Sequence, residues 1–178
     1  MELADTLSNP ISEAQASALA KQVVSSKALL NEVFQLVLTP SEKITNRASW
    51  VLSLAYEIDP EIMKGRDQKL LELLREEDNL YARTRQILRI YQTRRVPEAC
   101  QGFVMDACYR FIKSISYPVA VKAFSITVIY EISKPYPELC AELQLVLTEL
   151  LKHEKAPAIV SRGSHTLRKL EKLQNKKS

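Results

Sequence analysis

The sequence predicts an all-α chain, an α-α superhelix of about four helical hairpins preceded by an extra N-terminal helix. Three observations predict it. Glycine is nearly absent, with only Gly65, Gly102 and Gly163 in 178 residues, whereas sheets and mixed folds need glycine for hairpin turns. Prolines at 60, 97, 118, 137 and 157 each precede a segment of helix length. Four stretches repeat one pattern of basic, small and apolar positions at a spacing of roughly 40 residues.

The elements follow in chain order. Helices are expected over 12–24 and 28–38, with residues 1–11 flexible. The next helix, 42–58, opens at "TPSEKI" with Ser41 as its cap, and Ala48, Val51, Leu52 and Ala55 form an i, i+3, i+4, i+7 stripe. "DPEIM" opens 60–76, with Asp59 as cap, Glu61 in the first turn and a Leu70–Leu71–Leu74 stripe. A helix over 79–94 follows. Pro97 opens 97–114, where Glu98 favours the dipole and Phe103, Ala107 and Phe111 share a face. The stretch 118–134, "PVAVKAFSITVIYEISK", has the β-branched content of a strand. Its length decides for helix, since the average strand has only about 5–6 residues. Val121, Phe124, Val128 and Ile132 recur on one helical face, and Ser116 is the expected cap. Pro137 and Pro157 open 137–153, with its Leu143–Leu147–Leu150 stripe, and 157–173. Residues 174–178 are expected to be flexible, and the whole of 1–178 to form one domain.

The repeat is read by laying "NRASWVLSLAYEI" (from 46), "ARTRQILRIYQTR" (from 82), "VKAFSITVIYEIS" (from 121) and "SRGSHTLRKLEKL" (from 161) over one another. The second position is basic: Arg47, Arg83, Lys122, Arg162. The third is small: Ala48, Thr84, Ala123, Gly163. The sixth is β-branched: Val51, Ile87, Ile126, Thr166. The unit resembles a HEAT repeat, best in "SYPVAVKAF" (116–124) and partly in "KAPAIVSRGS" (155–164). The resemblance implies an α-solenoid whose second helices line a partner-binding face. HEAT units carry an aspartate six residues before the basic position, where this chain has Ser41, Glu77, Ser116 and Ala156. That departure removes the basis for a regular Asp–Arg ladder. The whole chain also resembles small bacterial helical proteins, some of which carry an adenylosuccinate lyase label. That label implies a serine loop of the form SSxMPxKxNP, and no such stretch exists here.

Three features could carry function. The basic column Arg47, Arg83, Lys122 and Arg162 would track a phosphate backbone or, alternatively, cap helix ends and pair with acids. Trp50, Gln86, Ser125 and His165 lie three residues beyond each cation, on the same helical face. They extend the expected partner-binding set, with Trp50 able to stack and His165 to donate, or else they are packing and surface. The net charge of +4 is concentrated in 81–120 and 161–178. Arg85, Arg89, Arg94, Arg168 and Lys169 are candidate phosphate contacts there, with Lys172, Lys176 and Lys177 extending the C-terminal cluster, or all are solvated faces.

Other chemistry is excluded or unsupported. Three isolated glycines cannot write GxGxxG or GxxxxGK[ST]. His153 and His165 have no partner at metal-ligand spacing, so no metal and no cofactor are expected. The HEAT-like alkylation-repair glycosylases use an aromatic and an aspartate, and no aspartate stands in the second-helix column here, so no catalytic residue is assigned. The three cysteines are dispersed and read as reduced thiols, the acidic start is no secretory signal, and no apolar run spans a membrane; a cytoplasmic protein is expected. The function expected is a non-enzymatic scaffold that binds a protein partner on its second-helix face. Nucleic-acid binding through the basic clusters is the alternative, and an enzyme comes third.

Overall fold

Prolines and serines set the helix starts in the computed structural model, which describes residues 2–76 and 78–175. Among the described residues there are ten α-helices and no strand: α1 (Glu2–Ser8), α2 (Glu13–Ser25), α3 (Lys27–Val37), α4 (Glu42–Ile58), α5 (Asp67–Glu72), α6 (Tyr81–Tyr91), α7 (Glu98–Lys113), α8 (Val119–Ser133), α9 (Pro137–His153) and α10 (Pro157–Asn175). Backbone contacts divide the chain into two compact units, Met1–Ile90 and Tyr91–Ser178. Residues 176–178, part of the tail expected to be flexible, lie outside the described residues together with Lys176 and Lys177.

In the first unit α4 is the central helix and packs against α1, α2 and α3. It buries Ala48, Val51, Leu52, Ala55 and Tyr56. Each large apolar side chain so removed from water contributes about 1.5–3 kcal/mol. Residues 2–8, expected to be loose, form α1 instead, because Leu3 and Leu7 are buried apolar anchors at helical spacing. Helix α2 opens with a capping box: Ser12 Oγ accepts from Gln15 N at 3.2 Å, and Ser12 N donates to Gln15 Oε1 at 2.8 Å. Ser41 is the residue before α4 as expected, but its hydroxyl makes no cap hydrogen bond. The expected continuous helix over 60–76 is broken. A 3₁₀ turn at Pro60–Met63 is capped by Asp59, whose carboxylate accepts from Glu61 N at 2.9 Å. Gly65 then takes a φ of 75°, which a side chain disfavours and which ends the turn before α5.

In the second unit α8 is central and packs against α7, α9 and α10. Val121, Ile126, Val128, Ile129 and Ile132 are all buried, so neighbours on several sides select β-branched residues at nearly every position. The expected Ser116 cap is not formed. Pro118 occupies the N-cap position, and Ser116 N instead donates to Ser114 Oγ at 3.2 Å.

The repeat columns reappear as packing. Ala48, Thr84, Ala123 and Gly163 are all buried, as are Val51, Ile87, Ile126 and Thr166. At Gly163 a Cβ would lie 3.0 Å from Leu151 Cδ2, so the small residue is what lets α9 and α10 approach.

Candidate functional site

The basic column is mostly consumed inside the units. Arg47 on α4 donates from Nη1 to the carbonyl of Leu7 at 2.8 Å, satisfying an orphan acceptor in the last turn of α1. Arg83 on α6 is only 2% exposed. Its Nη2 donates to Glu76 Oε2 at 2.7 Å and also to Asp78, while its backbone N–H donates to Asn46 Oδ1 at 3.2 Å. Glu77, which stands where HEAT units carry the aspartate, lies outside the described residues. Arg162 on α10 donates from Nη1 to Gln92 Oε1 at 3.1 Å and to Thr127 Oγ1 at 2.7 Å. Lys122, half-buried on α8, donates its backbone N–H to the Pro118 carbonyl at 3.2 Å, and among the described residues its ammonium has no hydrogen bond and no ion pair.

The neighbouring column separates by burial. Gln86 is buried, and its Oε1 accepts from Ser53 Oγ at 2.9 Å. Ser125 is fully buried and donates to the Val121 carbonyl at 2.8 Å. These two, and Arg83, are removed from the expected partner-binding set, because a residue sealed in the core offers a partner no surface. Trp50 is half-buried on α4, and His165 is exposed on α10. Among the arginines expected to meet phosphate, Arg89 pairs with Glu57 at 2.6 Å. Arg94 is engaged within the chain. Arg85 is exposed. Exposed Arg168 donates to the Ser164 carbonyl at 3.4 Å, and Lys169 lies 5.3 Å from the centre of the Tyr130 ring.

Two concavities of the second unit contain the column's remaining residues. The first, about 460 Å³, lies where the end of α7, the start of α8 and the end of α9 meet. Ile112, Ile115, Val146 and Leu150 supply apolar wall, and Lys122 stands in it. Ile115 is 97% exposed, the most exposed large apolar side chain among the described residues. The groove's carboxylates are already committed: Glu149 to Lys152 at 2.6 Å, and Glu154 to the backbone N–H groups of Lys155 and Ala156 at 2.9 and 2.8 Å. The second concavity, about 300 Å³, lies between α8 and α10 and contains Arg162, His165 and Lys169.

The family model described as a HEAT repeat domain matches residues 3–170. The chain belongs to the HEAT repeat family. No curated protein and no solved structure matches it significantly. The buried small and β-branched columns are what a stacked HEAT hairpin requires, and among the described residues no helix is long and apolar enough to cross a membrane. HEAT repeat domains generally serve as protein-interaction scaffolds.

Sequence reasoning missed Ile115, Thr127, Tyr130 and Ser161. A signal existed for Ile115, an isolated large apolar residue in the polar connection "SISYP" between two helices. Thr127 and Tyr130 had none, because what brings them to the cavity is the packing of α10 on α8.

Proposed function

We propose that this HEAT repeat domain is a non-enzymatic scaffold that binds a protein partner in the α7–α9 groove. The observation that carries the reading is Ile115, almost fully exposed beside a largely apolar groove in which the Lys122 ammonium forms no ion pair among the described residues. Exposed apolar patches rimmed by polar residues mark interaction sites. Because Glu149 and Glu154 are occupied within the chain, the groove complements a segment that brings apolar anchors and its own carboxylate toward Lys122.

A photo-crosslinking residue in place of Ile115 tests this directly. It is expected to trap one reproducible protein in extracts of the native cell, with capture lost in the Lys122→Glu background. Identical capture with and without Lys122→Glu refutes the groove. The nucleic-acid alternative draws less support, since Arg83, Arg89 and Arg94 are engaged within the chain. A gel shift with mixed DNA and RNA at low salt, negative at micromolar protein, removes it.

A further inference from the structure

We propose that the cavity between α8 and α10, lined by Thr127, Tyr130, Ser161, Arg162, His165 and Lys169, binds the phosphate monoester group of a small ligand. The wall is made of cations and hydroxyls. Arg162, Lys169 and His165 supply nitrogen donors, Thr127, Tyr130, Ser161 and Thr166 supply hydroxyls, and no carboxylate lines it. The contrast with Arg83 is chemical. Arg83 is neutralised by Glu76 and Asp78, whereas Arg162 is held by two neutral acceptors, Gln92 and Thr127. Its guanidinium is therefore fixed in direction while, among the described residues, no carboxylate pairs with it, the condition for anion recognition at little ordering cost. Lys169 is also positioned, resting over the Tyr130 ring that Lys134 approaches at 5.8 Å.

The electrostatics of His165 agree. Lys169 first, then desolvation, then Arg168, Arg162 and Lys172 hold its pKa below the ordinary imidazole value, and no carboxylate offsets them. From α8 the cavity receives only Thr127 and Tyr130.

Donors from two facing helices suit the three terminal oxygens of a phosphate better than the two of a carboxylate. A volume of about 300 Å³ is at the small end of ligand sites, which suits a compact ligand. The nearby exposed cations Arg168 and Lys172 lie outside the wall, so the geometry is a cup and not a track along a polymer.

The test is an NMR titration of the full chain with inorganic phosphate at constant ionic strength. Saturable shifts at the His165 ring and the Thr127 amide are expected, with the His165 pKa rising on binding. Lys169→Gln should weaken binding roughly tenfold, the loss of one charge-assisted contact, while Arg168→Gln changes it less than about twofold. His165→Gln, an exposed change, supplies a second variant and should also weaken binding. Absence of saturation, or equal effects of Lys169→Gln and Arg168→Gln, overturns the proposal in favour of a diffuse positive field. A short oligonucleotide that shifts the same resonances at far lower concentration than inorganic phosphate overturns the small-ligand assignment.

Discussion

Replacing Arg83 with methionine asks whether the basic column holds the repeats together. Methionine keeps an unbranched apolar stem and removes the guanidinium. Breaking a buried ion pair costs about 3–5 kcal/mol when the partner charge stays buried. Here the partners can rehydrate, since the Glu76 and Asp78 side chains are 52% and 31% exposed. Among the described residues, buried Arg83 Nε has no hydrogen-bond partner, so its removal also relieves a cost. The expected loss is therefore reduced to about 2 kcal/mol. Trp50, the single tryptophan, sits on α4 in the same unit and reports the transition by fluorescence. With a urea slope of about 2 kcal/mol/M, the midpoint should fall by about 1 M. Lys122→Met, which removes an ammonium that forms no ion pair among the described residues, should leave helix unfolding followed by circular dichroism within about 0.2 M of wild type. An unmoved midpoint in Arg83→Met, or an equal fall in both variants, refutes the assignment of Arg83 to structure and Lys122 to the surface.

Two further outcomes follow from packing and burial. Gly163→Leu should destabilise the second unit by about 1–3 kcal/mol through collision with Leu151, while Gly102→Ala, exposed on α7 with nothing near its Cβ position, should gain up to about 1 kcal/mol of helix propensity; thermal unfolding followed by circular dichroism that ranks the two the other way refutes the close-approach role. Burial pushes the Cys108 thiol from 9.0 up to about 12, partly opposed by its hydrogen bond with Ser125, and burial chiefly pushes the Tyr109 phenol from 10.0 up to about 12. The folded state thus keeps protons that the unfolded chain gives up, so stability is full below pH 9 and is lost as pH rises from about 9 to 12. Denaturant unfolding across that range should show the decline, and Cys108→Ala should flatten it; a pH-independent midpoint refutes the burial account.

The sequence by itself determined the class of fold and nearly every helix boundary. Proline and glycine act locally, through a missing N–H or a permitted φ, so their effects can be read without the tertiary structure. The repeat columns were legible for a related reason, since a small residue such as Gly163 and a β-branched one such as Ile126 mark where helices must touch. Two local features still escaped. Helix α1 depends on Leu3 and Leu7 finding the first unit's core, and the break after Met63 depends on Gly65 adopting positive φ. Only the tertiary structure decided which cations are spent. Arg47, Arg83, Lys122 and Arg162 look equivalent in the repeat, yet their fates rest on residues supplied by other elements: the Leu7 carbonyl, the Glu76 and Asp78 carboxylates, the largely apolar groove walls of α7 and α9, and the neutral oxygens of Gln92 and Thr127. A side chain's charge is written in the sequence. Whether that charge is compensated depends on what packing brings within a few ångströms of it.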